Sequence, residues 1–327
     1  MNFTIGDRKL TRKASPYLVA EIGLNHNNDI EIGKRTIEKA KEAGADAVKF
    51  QTYTTEEFVD VKNNETKFLF DIFKQYELTE NFHRQFQKTA NDLGLDFFST
   101  PLCESAVDLL TNLNVPVFKV ASGDIVNLGL LQKIIQTKKP ILVSTGAALP
   151  EEVIRSLELF KKHQTEICLM HCVSLYPTPL NKTNLNTIRY FLDTTEYVIG
   201  FSDHSDGTLA SNIAVGFGAV VIEKHFTLDK NLDGPDHQIS MDPESFKKLA
   251  TEIQTVHQMK GEYGKNTHQE ETNGWFYGRR SLYKQNGKIM ALRPALHTKE
   301  NDVFDSWELS RVVDPSKIPE GPVRFKI

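Results

Sequence analysis

Cysteine is scarce: Cys103, Cys168 and Cys172 are an odd set of three, so a disulfide framework is excluded as the organising device of the fold. Long apolar runs are missing as well. No stretch approaches the roughly 18 residues of a membrane span, and no charged-then-apolar signal pattern opens the chain. These absences lead us to expect a cytoplasmic protein that engages no membrane. Charge of one sign is also lacking. Lys and Arg total 39 against 43 Asp and Glu, a net −4 that leaves no basic footprint for nucleic acid. A small molecule is therefore the expected partner. What remains is 327 residues at 39% hydrophobic, enough for one α/β barrel of roughly 250 residues and a short appendage.

Short β-branched, apolar runs recur at 17–23, 47–53, 96–101, 117–122, 140–146, 167–177, 197–205 and 220–227, with helical periodicity between most of them. In residues 30–43, Ile32, Ile37, Ala40 and Ala43 form one stripe, and Gly44 is a stop signal. Strand followed by helix, repeated eight times, predicts a parallel sheet closed as a (β/α)8 TIM barrel; an open doubly wound sheet is the competitor. Residues 3–11 read as a hairpin around a Gly-Asp turn that plugs the bottom of the barrel. Residues 54–78 exceed a usual βα loop and are a candidate lid. We expect a catalytic domain over 1–262 and a C-terminal extension over 263–327, rich in Pro and Gly and without clear periodicity, packed along the barrel or onto a partner subunit.

Barrel strands are buried on both faces and should be apolar, yet these runs turn polar near their C-terminal ends, where barrel enzymes carry their sites. The polar residues are Glu21; Lys49 and Gln51; Ser99 and Thr100; Lys119 and Ser122; Ser144 and Thr145; His171, Ser174 and Tyr176; Ser202, Asp203 and His204; Glu223, Lys224 and His225. Alternation puts Lys49 with Gln51, Ser202 with His204, and Glu223 with His225 on shared faces. A strand-end lysine alone is usually solvated or paired with a carboxylate. Two, Lys49 and Lys119, converging on one mouth ask for an anion, because burying unpaired cations costs several kcal/mol. A phosphate or carboxylate ligand answers this, with Thr100, Ser122 and Ser202 as hydroxyl donors. His204 and His225, near the ends of adjacent strands, are either hydrogen-bonded core residues or two ligands of one divalent ion. Cys168, Met170 and Cys172 share a face opposite His171, which favours inert buried thiols over a thiolate site.

EIGLNH at Glu21 to His26, AVKFQT at Ala47 to Thr52, FKVAS at Phe118 to Ser122, YPTP at Tyr176 to Pro179, GFSDHS at Gly200 to Ser205 and EKHFT at Glu223 to Thr227 resemble, in order, the motifs of the sialic acid synthase family, which includes legionaminate and pseudaminate synthases. The resemblance spans about residues 3 to 281. It implies attack of the C3 methylene of phosphoenolpyruvate on the aldehyde carbon of an open-chain N-acetyl amino sugar such as N-acetylmannosamine, with water adding at C2 and phosphate leaving by C–O cleavage. By motif position it also implies that His204 and His225 bind manganese or magnesium, His204 acting in catalysis. Lys49, Thr100, Lys119, Ser122, Ser174 and Ser202 would hold phosphoenolpyruvate, Ser174 standing where the family often has asparagine. Gln51, Tyr176 and Asp236 would touch the sugar, and Glu21 would handle the proton of the attacking water, with Lys49 and Lys119 completing the catalytic set. A homodimer is the implied assembly. After Arg279 to Ser281 the family usually carries a module resembling type III antifreeze proteins; here only 46 residues follow, and Arg293-Pro294 is the one fragment similar to it.

Two other readings stay open. One is a different phosphoenolpyruvate–aldose condensation that makes a shorter keto-deoxy acid from a phosphorylated sugar; it needs a further basic cluster, for which Lys182 and Arg189 are the candidates. The other is a barrel that binds a sugar acid without turning it over.

Overall fold

The computed structural model describes residues 2–62, 65–262, 264–266, 268–293 and 321–322. The chain divides into two compact units, Met1–Gly261 and Glu262–Ile327. In the first, a short hairpin, β1 (Phe3–Ile5) and β2 (Arg8–Leu10), precedes eight strand-and-helix units. These run β3 (Tyr17–Gly23), α1 (Ile30–Glu42), β4 (Ala47–Thr52), α2 (Thr55–Phe58), α3 (Lys67–Tyr76), α4 (Glu80–Asp92), β5 (Asp96–Pro101), α5 (Glu104–Asn112), β6 (Phe118–Val120) and α6 (Leu128–Gln136). They continue through β7 (Ile141–Ser144), α7 (Pro150–Lys162), β8 (Ile167–Cys172), α8 (Asn186–Thr194), β9 (Val198–Asp203), α9 (Leu209–Phe217), β10 (Val221–His225) and α10 (Pro243–Lys260).

Strands β3 to β10 form a closed parallel barrel in chain order, β10 closing onto β3. The open-sheet alternative is thereby excluded. The strands are apolar because helices cover their outer face and side chains fill the inner one; β3, β8 and β9 are buried along their whole length. The strand expected at 167–177 ends at Cys172, since Leu175 and Tyr176 turn out to solvent and Pro177 has no N–H for a ladder. The hairpin turns at Gly6, whose φ of +54° suits glycine. It sends Phe3, Ile5 and Leu10 into the core, and Arg8 pairs with Asp46 just ahead of β4, which places the hairpin at the N-terminal end of the barrel.

Helix α1 starts where the Asp29 carboxylate accepts the N–H groups of Glu31 and Ile32, and stops at Gly44 with φ +91°. Its buried stripe is Gly33, Thr36, Ile37 and Ala40. Residues 54–78 fold into α2 and α3, and Tyr53 and Tyr76 cluster with Leu24, Cys103 and Ala106, with Phe58 and Phe73 packed against them. The second unit, by itself, holds α11 (Gln269–Gly278) and the antiparallel strands β11 (Ser281–Gln285), β12 (Lys288–Leu292) and β13 (Gly321–Pro322), ordered β12-β11-β13. Arg293 is exposed; Pro294 lies outside the described residues.

Candidate active site

Parallel register aligns the polar strand ends into one ring: His225 lies opposite Glu21, Glu21 opposite Lys49, Gln51 opposite Thr100, and Glu223 opposite Ser202. Their side chains enclose a cavity of about 180 Å³. Glu21, Lys49, Gln51, Thr100, Lys119, Ser122, Tyr176, Ser202, His204 and His225, all expected from the sequence, line it. Asp236 stands beside it, its carboxylate accepting Leu24 N–H at 3.3 Å and lying 3.9 Å from His225 Nδ1. Ser174 is one layer back. It lines a groove between α7 and α8 and meets the cavity's edge over Gly146, where an added Cβ would lie 2.5 Å from Ser174 Oγ and 2.8 Å from Ser122 Oγ.

The floor is a cluster of four buried charges. Lys49 Nζ lies 2.8 Å from Glu21 Oε2 and 3.8 Å from Glu223 Oε2, and it donates to Thr100 Oγ1 at 2.8 Å. Lys119 Nζ lies 3.9 Å from Glu223 Oε1 and donates to Ser144 Oγ at 2.6 Å. Ser202 Oγ donates to Glu223 Oε1 at 3.0 Å. The two lysines thus have internal counterions in Glu21 and Glu223, beside the phosphate or carboxylate ligand that the sequence suggests for them. The physical reason is closure: the last strand supplies Glu223 to lysines on β4 and β6. Glu223 is the site residue that the sequence marks as polar without suggesting a role, although its shared face with His225 was the available signal.

The four charges are not equivalent. Burial, aided by the nearby Glu223 carboxylate, holds Glu21 above the ordinary glutamate value even though Lys49 pulls the other way. Burial also works against ionised Glu223, but Lys119 and Lys49 outweigh it and hold that carboxyl low. Desolvation depresses Lys119; it depresses Lys49 too, but Glu21 and Glu223 more than offset it and hold Lys49 high. A plain Lys49–Glu21 ion pair would lower Glu21, so the two directions disagree with that picture. Glu223 differs from Glu21 in lying between both ammonium groups, 3.8 Å from Lys49 and 3.9 Å from Lys119, whereas Glu21 meets Lys49 alone; one oxygen of each carboxylate is buried without a hydrogen bond. Of the two carboxyls, Glu21 therefore has the higher proton affinity.

The imidazoles of His204 and His225 sit with ring centroids 5.5 Å apart, and the Tyr176 ring lies 4.2 Å from that of His204. Burial, then the neighbouring His225, drops His204 to about 3, so it is neutral at physiological pH, as a metal ligand must be. Val173 O is 3.3 Å from His204 Nδ1, which favours the Nδ1–H tautomer and leaves the Nε2 lone pair available. His225 Nδ1 is buried with no hydrogen-bond partner, an orphan that a ligand would satisfy. These features fit a divalent ion held by two imidazoles. Among the described residues there is no group of three or more His, Cys, Asp or Glu positioned to hold one.

Other polar strand residues prove structural. Asp203 and Lys224 pair at 2.8 Å, and Asp203 also accepts from Ser205 and Ser211. His171 bonds Thr183 O and stacks on Phe201, away from the cavity. Burial raises Cys168 and Cys172, as expected of thiols that are not nucleophiles, although Cys172 does line the cavity. Among the described residues no helix is long and apolar enough to cross a membrane.

Comparison with known proteins agrees with this geometry. The NeuB family description matches residues 36–265. An N,N'-diacetyllegionaminic acid synthase of Legionella pneumophila is 38% identical over 260 residues, covering 75% of this chain and 73% of its own. A pseudaminic acid synthase of Helicobacter pylori is 35% identical over 250 residues, 73% of each chain. The crystal structure of an N-acetylneuraminic acid synthetase from Leptospira borgpetersenii in complex with citrate, 32% identical, superposes with a TM-score of 0.79 over 84% of this chain and 94% of that one. Six ordered motifs, the closed barrel and these matches place the chain in the NeuB family.

Proposed function

We propose that this site condenses phosphoenolpyruvate with an open-chain N-acetyl amino sugar to give a nonulosonic acid and phosphate. The observation that carries the reading is the buried Glu21–Lys49–Glu223–Lys119 cluster, walled by hydroxyls and adjoining two imidazoles. Lys49, Lys119, Thr100, Ser122 and Ser202 hold the phosphate and carboxylate of phosphoenolpyruvate, with Ser174 beside Ser122 over Gly146. Gln51, Tyr176 and Asp236 orient the sugar. His204 and His225 hold Mn2+ or Mg2+, which when bound supplies Lewis-acid polarisation of a carbonyl oxygen. C3 of phosphoenolpyruvate forms the new bond to the aldehyde carbon, whose oxygen becomes a hydroxyl. Water adds at C2, Glu21 accepting its proton and returning it to the new alkoxide oxygen; the C2–O bond to phosphate then breaks as the C2 hydroxyl gives its proton to the departing phosphate and becomes the keto group.

Making a shorter keto-deoxy acid from a phosphorylated sugar is less well supported. Lys49 and Lys119 are the cations among the lining residues, and Arg189 lies over the Phe217 ring instead. The test is phosphate release from phosphoenolpyruvate across unphosphorylated and phosphorylated amino sugars, with Mn2+ supplied or chelated. Release that requires both metal and one sugar is expected, as is its loss in Lys119→Ala and His204→Ala. Full turnover by both variants would remove the reading's basis.

A further inference from the structure

Asp236 is held at the site from behind. Its carboxylate stands 3.9 Å from His225 Nδ1 and over Gly23, where an added Cβ would lie 2.8 Å from Oδ2. Among the described residues it accepts one hydrogen bond, from Leu24 N–H, and that bond is long at 3.3 Å. Its position is therefore inherited from its backbone, in the loop between β10 and α10. The next residue, His237, is fully buried and joins that loop to the one between β3 and α1. His237 Nε2 lies 3.0 Å from Asn27 Oδ1, and Nδ1 lies 2.7 Å from Thr227 Oγ1. One neutral imidazole satisfies both, Nε2–H donating to Asn27 and Nδ1 accepting the Thr227 hydroxyl, and burial favours that neutral form. Gly234 packs over the clasp: a Cβ there would lie 2.7 Å from His237 Cδ2 and 3.1 Å from Asn27 Oδ1. Beside it, Ser240 Oγ donates to Asp236 O at 2.6 Å and accepts from Asn25 Nδ2 at 2.8 Å.

Resting on the condensation reading above, we propose that His237 is a positioning residue of the acceptor subsite: by clasping the loop after β10 to the loop after β3, it fixes the Asp236 carboxylate where the sugar meets it. His237 is not among the residues that line the cavity, so it acts through Asp236. Without the clasp the backbone at Asp236 loses its tie to Asn27, and a carboxylate held by one long bond no longer keeps its place. Lys49 and Lys119 ride on β4 and β6, outside both loops, so the grip on phosphoenolpyruvate is left intact. A residue that only stabilised the barrel would not discriminate between the two substrates.

Steady-state phosphate release is measured with phosphoenolpyruvate and N-acetylmannosamine, or whichever other amino sugar of the panel above supports turnover. His237→Ala is expected to raise the acceptor's KM by about tenfold while the KM for phosphoenolpyruvate holds. Thr227→Val removes one of the two bonds with little change of shape and is expected to move the acceptor's KM the same way by less. In a double-mutant cycle, His237→Ala added to Asp236→Ala is expected to raise the acceptor's KM no further, because no carboxylate is left to place. Effects that multiply in the double variant, or equal rises in both KM values, overturn the inference and leave the condensation standing. Should His237→Ala fail to fold, the same cycle with Thr227→Val decides by the same criterion. Silence of the unaltered protein with every amino sugar overturns the condensation reading, and this inference falls with it.

Discussion

At the scale of single residues, Glu223 decides how tightly the floor can hold an anion. It neutralises Lys49 and Lys119 in the resting site and would face the incoming charge of phosphoenolpyruvate. Glu223→Gln keeps the shape and an oxygen to accept from Ser202 Oγ, but removes the charge. We expect phosphoenolpyruvate to bind about tenfold tighter or better while kcat falls. Unit charges ~4 Å apart at a protein's effective dielectric interact by more than the ~1.4 kcal/mol that a factor of ten requires. Calorimetric titration checks the first half and steady-state turnover the second; unchanged affinity would mean that Lys119 does not meet the ligand. Most of the floor was legible, because ionisable residues at barrel strand ends violate the apolar rule and stand out one by one. Which charge neutralises which was not legible, since the pairing of β10 with lysines on β4 and β6 depends on barrel closure and side-chain reach.

At the scale of elements, two helices make claims that stability measurements can reach. Gly33 faces Phe86 so closely that a Cβ would lie 2.2 Å from the ring, and Phe86 is fully buried and stacked at 5.0 Å on Phe50. Gly33→Ala gains up to ~1 kcal/mol of helix propensity but forces α1 off α4, so a net loss of about 1–2 kcal/mol is expected from the urea midpoint. A neutral or stabilising result would show that Phe86 can yield. Helix α7 begins at exposed Leu149, whose side chain cannot cap; Glu152 bonds the Leu149 N–H at 2.7 Å, so only half of the capping box is made. Leu149→Ser supplies the missing acceptor and should raise thermal stability by about 1 kcal/mol. Eight strands and the N-terminal hairpin were readable because a buried strand, a Gly-Asp turn and a helix stop each leave a local pattern. Helices α2 and α3 were not separable from a loop: they are short, and what orders them is contact with Tyr53, Leu24 and Cys103, residues remote from their own periodicity.

At the scale of the whole molecule, buried histidines tie folding to pH, His171 and His204 among them. His26, His83 and His237 are each held below the ordinary histidine value, chiefly by burial, and His26 is lowered from 6.5 to about 3. His26 accepts the Asn28 N–H through Nδ1, so its neutral ring carries the proton on Nε2, buried among Phe50, Tyr76 and Phe86 without a partner. A second proton would have to sit on Nδ1, against the Asn28 N–H that this nitrogen now accepts. Between pH 6.5 and about 3 the unfolded chain therefore binds more protons than the folded one, and unfolding free energy must fall as pH falls. Above pH 6.5 the contribution is complete; below about 3 both states are charged and the slope vanishes. For His26 alone the whole window amounts to a few kcal/mol, because each pH step between the unfolded and folded values contributes ~1.4 kcal/mol. His26→Asn retains an acceptor for Asn28 N–H and removes the titrating ring. Chemical denaturation of both proteins at pH 7.5, 6, 5 and 4 should give the variant a visibly shallower decline, whatever its stability at neutral pH. Parallel declines would mean that His26 is protonated in the folded barrel and that acid sensitivity arises elsewhere.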